Sequence, residues 1–523
     1  MQSSAPWWQT GVIYQIYPRS FADSNGDGIG DLPGITSRLD YLTELGVDAI
    51  WLSPFYPSPQ DDFGYDVADY CDVDPMYGTL DDFDLLVEEA HRRGLRVLVD
   101  YVINHTSDRH PWFIESRSSP DNPKRDWYVW RDQPNNWVAV FGGSAWEQDS
   151  TTGQYYLHSF LPSQPDLNWR NPEVEAAMFD VLRFWMRRGV DGFRIDVAHF
   201  AMKDPLIRDN PPVTELPADA YKLNPERAAQ LPVNSQAHPD IHGLFRRLRA
   251  VIDEFPERYT VGEIHEYNWD AWATYYGRGD ELHMPFNFSL LPAGADPVRI
   301  RAAITGLEAA LPQGAWPNWV AGNHDEPRLA TRVGPGAAKA MAVVLLTLRG
   351  TPTLYYGDEL GMEELMIPPE QQQDPWGRRM PGFGRDGCRT PMQWSDAPGA
   401  GFCPSPTPGW LPIHPNAATL NVEAERHDPT SYFELYRRLL RLRRETPALQ
   451  LGDIEVLDGP EPVLSYRRWL GEGPGWVVHA NLSAQASRVN GGGKIVAATD
   501  HTREGSAFDG VLAPFEAVVT KES

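Results

Sequence analysis

Short apolar runs alternate with amphipathic stretches along most of the chain. The runs have the length of buried strands, and the stretches carry apolar residues at helical spacing, as Ile35, Leu39, Leu42 and Leu45 do. The predicted strands are 11–17, 49–52, 95–102, 191–197, 259–264, 282–288, 318–322 and 353–356, and the predicted helices are 34–46, 81–93, 172–188, 241–254, 269–276, 297–311, 337–348 and 431–444. Eight strand–helix units predict an α/β fold, a closed (β/α)8 TIM barrel.

Two features interrupt or end this alternation. Residues 105–171 are rich in Trp, Pro, Asn, Gly and Asp, and a loop of that length without structure is uncommon, so an inserted domain after the third strand is predicted. After residue 446 the helical pattern stops, and short apolar runs predict an antiparallel C-terminal β-sandwich domain. The predicted division is 1–104 and 172–446 for the barrel, 105–171 for the insertion and 447–523 for the β domain, with long barrel loops at 202–239 and 357–430.

Composition narrows the class of partner. The chain has 523 residues and a formal net charge of −26, which argues against an extended basic surface for nucleic acid or anionic lipid. Cys71, Cys388 and Cys403 are too few and too scattered for a disulfide framework, and no apolar stretch is long enough to span a membrane. A soluble cytoplasmic protein, acting as a monomer or a small homo-oligomer, is expected.

Acidic side chains follow several of the predicted strands. Asp196, Glu263 and Asp325 end the fourth, fifth and seventh strands, and Asp100 and His105 lie at the end of the third. A single acid at such a place often caps a helix or pairs with Arg, but barrels of this kind place their active sites at these strand ends. Paired carboxylates around one bond are what glycoside cleavage requires.

Several motifs together resemble the α-amylase family of glycoside hydrolases, family 13. They are DYVINH at 100–105, GFRID at 192–196, Glu263 in its strand and NHD at 323–325, and their order agrees over essentially the whole chain. The segments QPDLN at 164–168 and RTPMQW at 389–394 look like the oligo-1,6-glucosidase and α-glucosidase branch.

This resemblance implies a role for each acid. Asp196 is expected to be the nucleophile, Glu263 the general acid and base, and Asp325 the acid that holds sugar hydroxyls. Arg194, on the same strand face as Asp196, is expected to hold that carboxylate ionised. The expected reaction forms a β-glucosyl enzyme and releases α-glucose with retained configuration, which requires two carboxyl groups about 5–5.5 Å apart.

The resemblance also implies a pocket for one glucose unit. His105 and His324 are expected to hydrogen-bond its hydroxyls and Tyr65 to stack beneath its ring, unless Tyr65 is an ordinary half-buried aromatic residue. Asp62 and Arg389 are expected to pair and close the end of the pocket, so that the site removes single glucose units and is not an open cleft. The expected substrates are short α-gluco-oligosaccharides. Val197, after the nucleophile, favours α-1,6 bonds in this branch, although strand packing alone also explains a valine there.

A loop after the first strand carries oxygen ligands at alternate positions. Its resemblance to the glucosidases implies a structural Ca²⁺ or Mg²⁺ and no organic cofactor, with the ligands Asp23, Asn25, Asp27, the Ile29 carbonyl and Asp31. The loop differs from an EF-hand because Gly34 stands where a bidentate Glu is needed. An Asx-rich turn without an ion is the alternative.

Two other functions remain open at this point. A glucosyl-transferring isomerase that forms trehalose or isomaltulose shares the barrel, and residues 377–380 are a weak match to the Arg-rich loop of isomaltulose-forming enzymes. A non-catalytic homologue, such as a transporter heavy chain, is disfavoured because all three acids are present. Residues 202–239 are expected to wall the acceptor side and limit substrates to short sugars.

Overall fold

Eight parallel strands form the central sheet of this computed structural model, which describes residues 5–213, 224–404 and 407–522. In chain order the strands are β1 (Ile13–Ile16), β2 (Ala49–Leu52), β3 (Arg96–Val102), β4 (Gly192–Asp196), β5 (Tyr259–Gly262), β6 (Met284–Pro285), β7 (Asn318–Val320) and β8 (Thr351–Tyr355). The pairing follows the sequence from β1 to β6, and β7 pairs with β8, which pairs with β1. The predicted TIM barrel is confirmed.

Helices cover the outside of the barrel and pack their apolar faces onto the strands. The longer ones are Leu32–Ser37, Leu39–Leu45, Leu80–Arg92, Pro172–Arg187, Ile241–Ile252, Trp269–Ala273, Pro297–Ala310, Leu329–Val333, Pro335–Thr347 and Tyr432–Glu445. Most begin at a side-chain cap; Thr79 and Asp82, for example, form a reciprocal capping box. Helix Pro335–Thr347 is almost entirely buried, since it lies between the barrel and the C-terminal domain.

Two elements differ from the sequence prediction. The helix predicted at 34–46 is two helices that meet at Arg38. The Ser37 hydroxyl donates to the Gly34 carbonyl at 2.7 Å, and the Arg38 amide bonds to Ile35 instead, which ends the first helix. The strand predicted at 282–288 is only Met284–Pro285, and the Phe286 amide adds one further hydrogen bond to the Gly262 carbonyl of β5.

The segment between β3 and β4 forms its own small sheet. Helix Pro111–Ser118 precedes an antiparallel sheet in the order Trp130–Arg131, Tyr155–Leu157, Trp146–Gln148. Its core contains Trp137 and Trp146, and the chain returns to the barrel where Asp166 bridges to His105.

The C-terminal domain is an antiparallel β structure. Its larger sheet has the order Asp453–Val456, Val463–Trp469, Trp476–Asn481, Ala517–Lys521, Lys494–Ala498, and a second sheet pairs Ser487–Arg488 with Val511–Leu512. The apolar residues between 511 and 519 are therefore split between two sheets. The buried Arg468 donates to the carbonyls of Thr347 and Ala448, which ties this domain to the barrel helices.

Two predicted regions are described only in part. The long loop at 202–239 is described for 202–213 and 224–239, and it contains helix Pro225–Ala228. The loop at 357–430 is described apart from 405–406 and contains helix Pro375–Arg379. Within the described ranges, no helix has the length and apolar character that crossing a membrane requires.

Candidate active site

The carboxyl ends of the barrel strands bring the three candidate acids together. Asp196 is the last residue of β4, Glu263 directly follows β5, and Asp325 lies in the loop after β7. The side chains of Asp196 and Glu263 are 7% and 6% exposed, whereas that of Asp325 is 25% exposed. Asp325 is thus the acid most open to a ligand.

A single guanidinium joins the two central carboxylates. Arg194 Nη1 donates to Asp196 Oδ1 at 2.5 Å and to Asp100 Oδ1 at 2.7 Å, and Nη2 donates to Glu263 Oε2 at 2.6 Å. Arg194 and Asp196 reach the same centre because residues two apart in a strand point to the same face. The predicted contact between Arg194 and the nucleophile candidate is therefore present, and Arg194 also holds the acid candidate.

The pKa values of Asp196 and Glu263 are shifted in opposite directions. Burial and the charges of Glu263 and Asp100 raise the pKa of Asp196. Burial alone would raise the pKa of Glu263 too. The charge of Arg194 and the hydrogen bond and charge of His265 outweigh burial and hold the pKa of that carboxyl well below its usual range. The roles that the resemblance implies need the reverse order, with Asp196 ionised and Glu263 protonated. Because each carboxylate disfavours ionisation of the other, a proton that reaches Glu263 also favours ionisation of Asp196.

Glu263 accepts three hydrogen bonds in all. Besides Arg194, the Val197 amide donates to Oε2 at 2.9 Å, and His265 Nε2 lies 2.8 Å from Oε1. Val197 has φ of 33° and ψ of 46°, in the left-handed region that β-branched residues rarely adopt. This conformation points the Val197 amide at Glu263. The hydrogen bond between them therefore explains why a strained backbone is kept at this position.

Neutral histidines and a tyrosine line the side of the site that is predicted to bind the sugar. Burial lowers the pKa of His105 to about 4 and that of His324 to about 3, so both rings are neutral near pH 7. The Tyr65 ring stacks on His324 with an interplanar angle of 2°, and its hydroxyl lies 2.7 Å from His324 Nε2. Tyr65 also donates to Asp100 Oδ2 at 3.2 Å, which links this wall to the carboxylate cluster.

The structure corrects the predicted pairing at the end of the pocket. Asp62 pairs with Arg385, whose Nη2 is 2.8 Å from Asp62 Oδ1, and not with Arg389. Arg389 instead donates to Asp325 Oδ1 at 2.9 Å and to the His324 carbonyl at 2.7 Å. Arg385 is the residue before the 3-10 helix Asp386–Arg389, which ends at Arg389, so one short segment carries both side chains to the same region.

Some residues that contact the site were not predicted from the sequence. Arg385 binds Asp62, Asp325 and Asp374; Gln164 Nε2 donates to Asp62 Oδ2 at 3.1 Å; and His265 contacts Glu263. Gln164 lies in the QPDLN motif already recognised, and Arg385 begins the run that contains Arg389, so a signal existed for both. His265 offered the weaker signal of a histidine two residues after an acid.

The predicted ion-binding loop folds as successive Asx turns. Asp23 Oδ1 accepts from Asn25 and Gly26 amides at 3.0 and 2.7 Å, and Asp27 Oδ1 accepts from Ile29 at 2.9 Å. Asp31 caps the first barrel helix by accepting from the Gly34 amide. Within residues 5–213, 224–404 and 407–522, no three acidic, His or Cys side chains are arranged to hold a metal ion.

Comparisons with known proteins agree with this architecture. The family model for the alpha amylase catalytic domain matches residues 15–452. A Rhizobium meliloti protein named "Probable alpha-glucosidase" is 47% identical over 488 residues, 90% of this chain and 88% of that protein. An oligo-1,6-glucosidase of Parageobacillus thermoglucosidasius is 39% identical over 513 residues, 89% of this chain and 88% of that enzyme. The crystal structure of the alpha-glucosyl transfer enzyme XgtA matches with a TM-score of 0.93 and 43% identity, covering 99% of this chain and 100% of XgtA. The chain therefore belongs to the α-amylase family of glycoside hydrolases, family 13, as its motifs predict.

Proposed function

We propose that this enzyme is a retaining, exo-acting α-glucosidase that removes single glucose units from short α-glucosides. The observation that carries the proposal is the shared guanidinium of Arg194 between Asp196 and Glu263. Exo action is supported by the buried ion network of Asp62, Arg385 and Asp325. This network lies where further sugar units at the non-reducing end of a longer substrate would have to extend.

In the proposed reaction each group has a defined role. Asp196 attacks the anomeric carbon while Glu263 gives a proton to the departing oxygen, and a β-glucosyl enzyme forms. Glu263 then takes a proton from water, and the water oxygen displaces Asp196 to release α-glucose. Asp325, held by Arg385 and Arg389, is positioned to bind hydroxyls of the distorted ring.

A preference for α-1,6 bonds is the finer part of the proposal. Val197 is 8% exposed and packs with Phe141, Phe160 and Phe200, which come from the inserted segment and from the turn after β4. This apolar wall borders the nucleophile on the side where the leaving sugar must sit. A primary, flexible 6-O linkage reaches past such a wall more easily than a secondary ring oxygen.

Glucosyl transfer is a second candidate. It is favoured by the similarity to XgtA, which is named as an alpha-glucosyl transfer enzyme. The same intermediate serves both reactions, and an acceptor sugar in place of water gives transfer or an isomeric disaccharide.

One substrate panel tests these proposals. Isomaltose, maltose, sucrose, trehalose and dextran are each incubated with the enzyme, and the product anomer is followed by NMR. We expect α-glucose first and faster cleavage of isomaltose than of maltose. Initial β-glucose would refute retention; a disaccharide isomer in place of glucose would favour the isomerase; and efficient dextran cleavage would refute the limit to short sugars.

We also propose a structural divalent cation at residues 23–31. The proposal rests on the chemistry of the donors and not on their present arrangement, since Asp23, Asn25, Asp27, Asp31 and the Ile29 carbonyl are the hard oxygens that Ca²⁺ and Mg²⁺ prefer. A carboxylate also has lone pairs beyond those used by the loop's N–H groups. Such an ion would stabilise the loop and take no part in catalysis. The test is the melting temperature with added Ca²⁺ or Mg²⁺ against EDTA, with Asp27→Ala as the variant. No difference between them would mean an Asx turn without an ion.

A further inference from the structure

His265 contacts the acid from the open side of the site. Its Nε2 lies 2.8 Å from Glu263 Oε1, and its ring stacks on Phe288 with a centroid distance of 4.8 Å and an interplanar angle of 18°. Its side chain is 43% exposed, in contrast to 6% for Glu263. His265 is therefore both fixed in orientation and able to exchange protons with water.

The other oxygen of Glu263 is already occupied. Oε2 accepts from Arg194 Nη2 at 2.6 Å and from the Val197 amide at 2.9 Å, and neither donor gives up its proton near neutral pH. A proton on Oε2 would collide with both donors. Oε1 is thus the oxygen that must carry the catalytic proton, and His265 is hydrogen-bonded to this oxygen.

We propose that His265 is a positioning residue that shares one proton with Glu263 Oε1 and passes it to that oxygen when substrate covers the pair. This inference rests on the proposed role of Glu263 as general acid and base. It also explains how Glu263, which is ionised in the free site, gains the proton with which it must begin the reaction.

Desolvation provides the physical reason for the transfer. An imidazolium–carboxylate pair is favoured in contact with water, but a sugar that excludes water weakens the charged pair relative to the neutral one. Burial acts downward on the pKa of His265, but the hydrogen bond and charge of Glu263 raise it overall. The other titratable or charged groups facing the pair are Arg194 and Asp196 on β4, His199, whose ring centroid is 6.0 Å from that of His265, and Asp325 and Glu326 from the loop after β7.

The proton balance closes over one turnover. The proton shared with His265 moves to Glu263 Oε1 and then to the glycosidic oxygen, which leaves as a hydroxyl. Glu263 is then ionised, and His265 takes a proton from bulk water and donates a hydrogen bond to Oε1. In the second step a water molecule attacks the glucosyl enzyme, and its proton goes to Glu263 Oε1. The proton of His265 then returns to bulk water.

The test is the pH profile of kcat/KM for isomaltose in His265→Gln and His265→Phe. In the wild type the basic limb reports loss of the shared proton and follows the raised pKa of His265. Without an imidazole the proton resides on Glu263 alone, so we expect the limb to move down by roughly 2 pH units, the gap between an ordinary histidine and glutamate. At a pH above both values this is about a 100-fold loss, within the range of general acid catalysis.

A leaving group that needs no proton separates this effect from distortion of the site. For 4-nitrophenyl α-glucoside we expect kcat/KM to fall by less than about 3-fold, since 4-nitrophenolate departs without general acid assistance. The Phe variant retains the ring stacked on Phe288 and cannot carry a proton, so it should behave like the Gln variant.

Two further variants make each outcome decisive. His242 lies 2.8 Å from Glu281 in a similar pair outside the site, and His242→Gln should leave the profile unchanged. An unshifted basic limb in both His265 variants, or equal losses on both substrates, overturns the inference. Glu263→Gln tests the proposed function separately: if this variant still cleaves isomaltose, the role of Glu263 fails, whatever the His265 variants do.

Discussion

Replacing Arg385 by Met should destabilise the enzyme and weaken glucose binding together. Its guanidinium donates to Asp62 at 2.8 Å, to Asp325 at 3.0 Å and to Asp374 at 2.7 and 3.0 Å, and the side chain is 6% exposed. Methionine fills a similar volume, so the change removes charge and hydrogen bonds with little effect on packing.

The expected magnitude follows from which carboxylates keep a cation. Asp325 retains Arg389 at 2.9 Å, but no other cation is hydrogen-bonded to Asp62 or Asp374 among the described residues. Breaking one buried pair costs about 3–5 kcal/mol, and protonation of the orphaned acids limits a second cost, so we expect a loss of about 3–5 kcal/mol at pH 7.

The loss should depend on pH in a defined direction. Burial acts upward on Asp374, but Arg385 outweighs it and holds the pKa at about 2, below the unfolded value of about 3.9. A depressed carboxyl pKa stabilises the fold above the unfolded value, and this stabilisation disappears as the pH falls through the folded one. The difference between wild type and Arg385→Met should therefore shrink between about pH 4 and pH 2.

Urea unfolding followed by tryptophan fluorescence measures the stability, and initial rates on isomaltose measure KM, which we expect to rise about 10-fold or more. The exposed Arg379→Met is the matched control and should change neither. If Arg385→Met does not fold, Asp62→Asn removes one partner with less damage and should still raise KM. A loss under about 1 kcal/mol with unchanged KM would refute the assigned network.

Three further outcomes follow from other parts of the structure. Val197→Gly should cost about 1–3 kcal/mol less in urea unfolding than Val261→Gly in β5, because only the first relieves a left-handed backbone; equal costs would argue against strain. Burial lowers the pKa of His283 to about 3, so the unfolded chain binds more protons below about pH 6.5 and stability falls with acidification. His283→Gln should reduce that slope by up to about 1.4 kcal/mol per pH unit, and an unchanged slope would contradict a neutral ring. Lys203 Nζ lies 2.7 Å from Asp166 Oδ2 in a buried pair, so Lys203→Met should cost about 3–5 kcal/mol, and Asp166→Asn in the same chain should recover part of it.

Periodicity predicted the barrel well because strand and helix spacing are local properties. It failed where a single side chain decides the outcome, as at Arg38, where the Ser37 hydroxyl ends a helix. The three acids were predictable because strand ends meet at one rim of the barrel. The left-handed backbone of Val197 was not, since nothing in the local sequence favours it and the surrounding contacts impose it.

The choice between two arginines shows where residue spacing stops being informative. Arg385 and Arg389 are four residues apart, so either could reach Asp62, and the difference is set by Asp374, which accepts two hydrogen bonds from Arg385. A residue eleven positions upstream thus fixes which cation closes the pocket. Such three-body contacts depend on the folded chain and not on any single motif.

The two ends of the site use the same arrangement, and it favours the proposed chemistry. Arg194 contacts three carboxylates, and Arg385 contacts three others; with Arg389 the hydrogen-bonded network holds six acids and three arginines. Even with one proton bound, the pocket keeps a net negative charge. Glycoside cleavage develops positive charge on the sugar ring in its transition state, so this fixed excess stabilises the transition state more than the neutral substrate. The arginines therefore serve mainly to hold the carboxylates in place. Full neutralisation of the carboxylate charge would remove part of the catalytic advantage.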